Sequence, residues 1–280
     1  MVQINKILFG TAGIPKNSPV KTSAGAPEFL RKINLDTMEL EFVRSVSLNE
    51  KRALEVKKEA VKNNIRLSCH APYYINLNSK EQEKIEASME RILKSARILN
   101  VAGGQNVVFH SGFFQDIPVK KSIENTVKNI MKIRQTLDRE GLNHIILRPE
   151  MTGKQSQIGS EQVLAELCRE IPGTLPCIDF SHFQARYNNE KSFEYLFDFL
   201  SENIPDFFQN IHCHLSGIDY GLKGEIKHIN LEESKVDYKK IINLLIKYNA
   251  QGTVICESPS LEEDALILKN YYLKKLNGEL

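Results

Sequence analysis

The stretch IRLSCHAP, residues 65–72, is a short apolar run that ends in His70 and is stopped by Pro72. Because proline cannot continue a strand ladder, we expect the imidazole to be held at the point where the strand ends. Five further apolar runs also end in a metal-binding side chain. They lead to His110, to Glu150, to Asp179 with His182 just beyond it, to His214 and to Glu257.

Eight β-like runs alternate with helical patterns along the whole chain. The predicted strands are Lys6–Gly10, Met38–Val43, Ile65–His70, Asn106–His110, His144–Glu150, Leu175–Asp179, Asn210–Leu215 and Gly252–Glu257. The predicted helices are Asn49–Asn63, Glu81–Leu99, Ile117–Arg139, Ser160–Glu170, Lys191–Ser201, Tyr238–Tyr248 and Leu261–Leu273. Pro27 marks the start of a further helix, and Gly103-Gly104 marks a helix end. This alternation predicts an α/β protein, a (β/α)8 TIM barrel that forms one domain over residues 1–280.

The composition, 41% hydrophobic and 26% charged, is typical of a soluble globular protein. No apolar run approaches the ~20 residues that span a bilayer, and the N-terminus lacks the apolar segment of a secretory signal. We therefore expect a cytoplasmic protein. A net charge of +2 neither demands nor excludes a nucleic-acid partner. The five cysteines show no CxxC spacing and are expected to be reduced and buried.

The side chains that end the six apolar runs should lie close together, because the C-terminal ends of barrel strands meet at one mouth. A lone buried histidine is more often a core residue, and a lone strand-end acid is often a helix cap. Four histidines and three acids at the same ends favour a polynuclear metal centre that performs hydrolysis. His212 lies one layer deeper than His214 and is expected to hydrogen-bond rather than to bind metal. His144 begins its strand and is assigned to structure.

Several motifs together resemble those of endonuclease IV, the family of apurinic/apyrimidinic-site endonucleases that use three zinc ions in a TIM barrel. The motifs are HAPYYINL, VFHSG, EMTGKQSQIG, CIDFSHFQARY, HLSG, Lys227-His228 and CESP, between His70 and Pro259. The resemblance implies a first zinc held by His70, His110 and Glu150. It implies a second that shares Glu150 and adds Asp179, His214 and Glu257, and a third held by His182 and His228. A histidine and carboxylate set suits Zn²⁺, and Mn²⁺ is compatible with the oxygen-rich positions.

Two segments depart from the family pattern. Ile226 stands where the family has an aspartate in the third site, and Glu225 is the candidate to replace it. The loop Arg44–Leu48 lacks the Asn-Gln-Arg-like segment that enters the minor groove in the family. The resemblance implies that Tyr73 probes or replaces the damaged nucleotide. The other expected DNA contacts are Tyr74 and two of the basic residues near the mouth, Arg186 and Lys223.

The function implied by the resemblance is a base excision repair hydrolase that acts on double-stranded DNA containing abasic sites. Glu150 and Glu257 would fix the attacking water, and cleavage 5′ to the lesion would leave a 3′-hydroxyl and a 5′-deoxyribose phosphate. We expect a monomer. One alternative is a sugar isomerase or epimerase of the xylose-isomerase-like type, which would need fewer ions and fewer histidines. A second alternative is a barrel that binds nucleic acid without catalysis.

Overall fold

Eight parallel strands form one curled sheet in the computed structural model, which describes residues 6–280. The ten strands are β1 (Ile7–Ala12), β2 (Thr37–Glu41), β3 (Arg66–His70), β4 (Asn106–Phe109), β5 (Ile146–Pro149), β6 (Ile178–Asp179), β7 (Ile211–Leu215), β8 (Gly217–Gly221), β9 (Gly224–Ile229) and β10 (Gly252–Cys256). The order across the large sheet is β5-β4-β3-β2-β1-β10-β7-β6, and β8 pairs with β9 in a separate antiparallel hairpin.

Contacts between β5 and the segment that leads into β6 close this sheet. Parallel bridges join Leu147 to Thr174 and Glu150 to Cys177. The Cys177 N–H also donates to Pro149 O at 3.0 Å. The prediction of a (β/α)8 TIM barrel is therefore confirmed.

Nine α-helices lie within residues 6–280 and cover the outside of the barrel or its mouth. They are α1 (Ala26–Lys32), α2 (Glu50–Lys62), α3 (Gln82–Ala102), α4 (Val119–Arg139), α5 (Glu161–Glu170), α6 (Phe180–Arg186), α7 (Phe193–Asn203), α8 (Tyr238–Lys247) and α9 (Glu262–Leu276). As predicted, Pro27 lies in the first turn of α1, and Gly103 ends α3 with a φ of 83° that favours glycine. Within the described residues, none of these helices is long and apolar enough to cross a bilayer.

The barrel interior carries a polar layer beneath the mouth. Arg148 is fully buried there, and its guanidinium donates to Asn106 Oδ1 at 2.8 Å and to Asn210 Oδ1 at 2.9 Å. Successive residues of a strand point to opposite faces, so the neighbours of the inward-facing residues point outward to the helices. The Sγ atom of Cys69, for example, lies 3.9 Å from Ser95 O in α3. Cys69 is fully buried there, which agrees with the expectation that it is a buried cysteine.

Two predicted strands, the fifth and the sixth, begin at least two residues later than expected. The sixth strand begins at Ile178 rather than Leu175, because residues 174–177 pair only through isolated bridges. The segment after it is the short helix α6, and the Asp179 carboxylate caps its first turn by accepting from the His182 N–H at 2.7 Å. The stretch after β7 forms the β8–β9 hairpin. His144 lies exposed before β5, with Nε2 2.9 Å from Asn100 Oδ1.

Candidate metal centre

The mouth of the barrel brings together the side chains that end the apolar runs. His70 and Asp179 are the last residues of β3 and β6, and His214 lies near the end of β7. The remaining ones follow their strands directly: His110 follows β4, Glu150 follows β5 and Glu257 follows β10. All belong to groups whose nitrogen and oxygen atoms lie within 4.8 Å of one another. The predicted convergence is therefore observed.

Glu150 lies at the centre of the cluster and is contacted by four histidines. Its Oε2 atom lies 2.9 Å from His70 Nε2 and 2.8 Å from His110 Nε2. Its Oε1 atom lies 3.3 Å from His214 Nδ1 and 3.4 Å from His182 Nδ1. The two oxygens thus face two different sets of nitrogens, as is required of a carboxylate that bridges two cations.

A second group surrounds the other oxygen of Glu150. It contains Glu150, Asp179, His214 and Glu257. The His214 Nδ1 atom lies 3.2 Å from Glu257 Oε1. Oxygen and nitrogen atoms around a tetrahedral zinc ion lie roughly 3.3 Å apart, given metal–ligand lengths of about 2.0–2.1 Å. The spacing of this group therefore fits a zinc ion.

The third group contains Asp179, His182 and His228, where α6 faces the β8–β9 hairpin. The Nε2 atoms of His182 and His228 lie 3.2 Å apart, and Glu225 Oε2 lies 3.4 Å from His182 Nε2. The carboxylate of Glu225 thus reaches this group from the hairpin, while Ile226 is exposed. This placement suits the expected replacement of an aspartate by Glu225.

An orphaned oxygen supports the fit of a cation. Within residues 6–280, Asp179 Oδ2 is buried and has no hydrogen-bond donor. The His182 Nδ1 atom lies 3.3 Å from this oxygen, but it already contacts Met151 O at 2.9 Å. A buried carboxylate oxygen without a partner is costly, and a cation at this position would supply the missing partner.

The electrostatics of the cluster tie acids and imidazoles together. Burial opposes the ionisation of Glu150, but the charges of His110 and His214 outweigh it and hold the pKa of Glu150 well below its usual range. Burial also opposes the protonation of His70, yet hydrogen bonding and charge from Glu150 raise the pKa of His70 to about 10. Protons and metal ions therefore compete for the same nitrogen atoms.

Glu257 and Glu225 remain ionised in this environment. Burial disfavours the charged form of both acids. The charge of His214 outweighs burial for Glu257, and the hydrogen bond from His182 outweighs burial for Glu225. The pKa of each carboxyl is lowered to about 2. Asp179 differs, because burial is the larger influence and raises its pKa. Two of the three acids therefore offer charged oxygens to a cation across the neutral pH range.

Sequence reasoning missed two acids of β2, Glu39 and Glu41. Glu39 is fully buried and contacts His212 and His214, each at 2.8 Å. Glu41 is opposite His70 in the β2–β3 register and forms a further group with Glu39 and Glu257. Burial raises the pKa of Glu41 to about 8. The signal was the alternation in MELEF, residues 38–42, which directs both acids to the barrel interior.

The expected DNA contacts divide into exposed and buried residues. Tyr73 is 52% exposed, with its ring centroid 5.6 Å from that of His70, and Tyr74 is 66% exposed. Lys223 is exposed in the turn of the β8–β9 hairpin. Arg186 is corrected: it is only 5% exposed, and its guanidinium donates to carbonyl oxygens of residues 152, 154 and 157. It supports that loop and is not placed to contact DNA.

Comparison with known proteins gives both sequence and family matches. Residues 27–272 match a family model described as a xylose isomerase-like TIM barrel. The chain is 42% identical over 272 residues to MJ0133, an uncharacterized protein of Methanocaldococcus jannaschii, with 95% of this chain and 97% of that protein covered. It is 23% identical over 202 residues to a probable endonuclease 4 of Mycoplasma genitalium, with 69% and 67% covered.

Solved structures of two kinds share the fold. Endonuclease IV from Thermus thermophilus superposes with a TM-score of 0.70 at 18% identity, covering 96% of this chain and 99% of that chain. A D-tagatose 3-epimerase-like protein superposes with a TM-score of 0.74, also at 18% identity, with 96% and 99% covered. The resemblance to endonuclease IV is confirmed at low identity. The likeness to the two structures establishes the barrel and does not separate an endonuclease from an epimerase.

Proposed function

Because the chain belongs to the xylose isomerase-like TIM barrel family, we propose that it is a metal-dependent endonuclease that cuts double-stranded DNA 5′ to abasic sites. The products would be a 3′-hydroxyl and a 5′-deoxyribose phosphate. One observation carries the proposal: four histidines lie within 3.4 Å of the two oxygens of Glu150. A carboxylate shared between two candidate ligand groups is suited to a polynuclear hydrolytic centre.

The proposed ions occupy the three groups described above. Zinc bound there would supply Lewis-acid stabilisation of the charge that develops on the phosphoryl oxygens and would favour deprotonation of the attacking water. Glu257 is 14% exposed and Glu150 is 1% exposed. Glu257 therefore lies on the wall that a substrate reaches, and Glu150 lies behind it. We assign both acids to orienting the attacking water.

Access to the cluster favours a damaged duplex over an intact one. The cluster lies in the mouth of a barrel, so the target nucleotide must leave the base stack, and a missing base lowers the cost of that step. Tyr73 and Tyr74 stand exposed beside this mouth and can stack on neighbouring bases. Lys223 on the hairpin is placed to neutralise a phosphate.

A nicking assay tests the proposal. The protein, loaded with Zn²⁺ or Mn²⁺, should cleave a labelled duplex that carries one tetrahydrofuran abasic analogue and leave the matched intact duplex uncut. Glu257→Gln should keep the fold and lose cleavage, whereas Glu55→Gln, at an exposed position of α2, should cleave like the wild type. Absence of cleavage by the metal-loaded wild type would refute the assignment, and undiminished cleavage by Glu257→Gln would refute the role of that acid.

A second candidate function, sugar epimerisation or isomerisation, is favoured by one observation. Glu41 Oε1 is buried and, within residues 6–280, has no hydrogen-bond partner, and this acid is not among the ligands that endonuclease IV implies. A carboxyl group beside a metal centre can move a proton to or from a carbon of a sugar. If this function holds, the protein should interconvert ketoses or aldoses, and Glu41→Gln should abolish that turnover. The endonuclease proposal instead expects Glu41→Gln to continue nicking.

A further inference from the structure

We propose that Glu39 is a positioning residue that holds His214 in the tautomer whose Nδ1 atom faces the ions. The proposal rests on the metal centre proposed above. It adds to that centre a carboxylate that binds no ion itself and lies on a strand where the sequence predicted no functional residue. Its effect would pass through the His214 ring.

Both ring nitrogens of His214 have acidic neighbours, but on opposite sides. Its Nε2 atom lies 2.8 Å from Glu39 Oε1, deep in the barrel. Its Nδ1 atom lies 3.3 Å from Glu150 Oε1 and 3.2 Å from Glu257 Oε1, at the mouth. The acids on the Nδ1 side, Glu150 and Glu257, are grouped with His214 and Asp179 as candidate ligands of one cation. The ring thus separates the metal side from the Glu39 side.

This arrangement determines which nitrogen can bind metal. A carboxylate accepts but cannot donate a hydrogen bond, so the nitrogen that faces Glu39 at 2.8 Å must carry a proton. A neutral imidazole with its proton on Nε2 presents a lone pair on Nδ1. The ionised partner also makes the ring a stronger ligand, as carboxylate–histidine pairs do around zinc.

Glu39 is itself fixed by three donors. Its second oxygen, Oε2, accepts from His212 Nε2 at 2.8 Å and from Ser68 Oγ at 2.6 Å. The side chain is fully buried, so these contacts replace water as its partners. The role expected for His212, hydrogen bonding beneath the site, is therefore specified here: it holds the carboxylate that holds His214.

The contact also crosses the barrel. In the sheet, β2 and β7 are separated by β1 and β10, so the Glu39 side chain reaches His214 through the interior and not from an adjacent strand. A residue in this position can fix the direction of the ring without approaching the substrate. The expected consequence is that loss of Glu39 weakens one ion and leaves the reacting groups in place.

Nitrogen NMR of the zinc-loaded wild-type protein tests the tautomer directly and needs no variant. We expect His214 to show a protonated Nε2 atom and a metal-bound Nδ1 atom. A metal-bound Nε2 atom or a proton on Nδ1 would overturn the proposal. This measurement reads the ring itself, so it does not depend on whether the protein cleaves DNA.

Zinc titration of variants supplies the second test. In Glu39→Gln one oxygen becomes an amide N–H₂ donor, so one of the two histidines must change tautomer, and we expect one zinc to bind about 10–100-fold more weakly. Glu39→Asp keeps the charge and should recover part of that affinity. The exposed control Glu55→Gln should bind zinc like the wild type.

The outcomes separate this proposal from the one on which it rests. If the wild type binds no zinc, both fail. If the wild type binds zinc and Glu39→Gln binds it equally well, only the role of Glu39 fails. If Glu39→Asp recovers none of the affinity lost in Glu39→Gln, the carboxylate charge is not what holds the His214 ring, and the proposal is overturned. Should Glu39→Gln not fold, the NMR result on the wild type decides.

Discussion

Replacing Glu150 with glutamine tests whether one carboxylate serves two ions. Glu150 is 1% exposed, and its oxygens lie 2.8–3.4 Å from nitrogens of His70, His110, His182 and His214. Because it belongs to two of the three groups, we expect Glu150→Gln to retain one zinc ion where the wild type should hold three. The remaining ion should be the one near His182 and His228.

The same change should destabilise the metal-free protein. In that state the charge of Glu150 compensates the buried His70 cation, and its removal leaves an unpaired buried charge. Breaking such a pair costs about 3–5 kcal/mol of the free energy of unfolding. This loss should be measured at pH 6, where His70 is protonated in both the folded and the unfolded protein.

Two assays check these values, with Glu55→Gln as the control. Zinc per chain would be measured by elemental analysis after gel filtration, and the free energy of unfolding by urea titration in the presence of a chelator. A Glu150→Gln protein that still holds three ions, or that loses a single ion, would contradict the bridging role. Unchanged stability of the metal-free variant would contradict the electrostatic reasoning.

The remaining predictions concern the third ion, pH and the DNA surface. Glu225→Gln should weaken one zinc ion and leave two unchanged in a competition titration; loss of all three would show that the hairpin supports the whole mouth. The metal-free protein should lose thermal stability as the pH rises from about 4.5 to 10, because the pKa of Glu41 is raised from 4.5 to about 8 and that of His70 from 6.5 to about 10, and the protonated forms of both groups stabilise the fold. Added zinc should reverse that trend, since it competes with protons; a flat melting profile would contradict both shifts. Lys223→Ala should reduce the salt dependence of DNA binding by about one unit of slope. Arg186→Met should leave that slope unchanged while lowering stability by about 1–3 kcal/mol, and a changed slope would restore Arg186 as a phosphate contact.

The convergence of His70, Glu150 and His214 could be predicted from the sequence for a geometric reason. Parallel strands in a barrel end at the same face, so residues that end separate apolar runs meet there whatever lies between them. The prediction required only the strand ends, and it tolerated errors in the strand starts. The sixth strand shows this, because it begins three residues later than expected and still ends at Asp179.

Glu39 could not be found by the same reasoning, because it lies inside a strand and not at its end. The role of a buried acid in an apolar run can be assigned only when the residues that it contacts are known. Here the partners are His212 and His214, which are more than 170 residues away in the chain. The alternation of apolar and acidic residues in MELEF predicts that Glu39 points to the barrel interior, but only the folded barrel shows that its side chain reaches β7.

Arg186 and the β8–β9 hairpin illustrate two further limits. A basic residue near the mouth was assigned to DNA from its position, but the acceptors that bury Arg186 are backbone carbonyls, which the sequence does not display. The hairpin could have been recognised, because Gly221 and Gly224 flank a two-residue turn between two short runs of β-type residues. That turn brings Glu225 to His182, and so it determines whether a third ion can bind.

Anomalous diffraction at the zinc absorption edge, from crystals of the wild-type protein equilibrated with zinc, tests the central claim most directly. Three peaks are predicted: one among His70, His110 and Glu150, one among Glu150, Asp179, His214 and Glu257, and one beside His182 and His228. Glu150 should contact the first two. A mouth without peaks, or zinc bound only at exposed side chains elsewhere, would contradict the account.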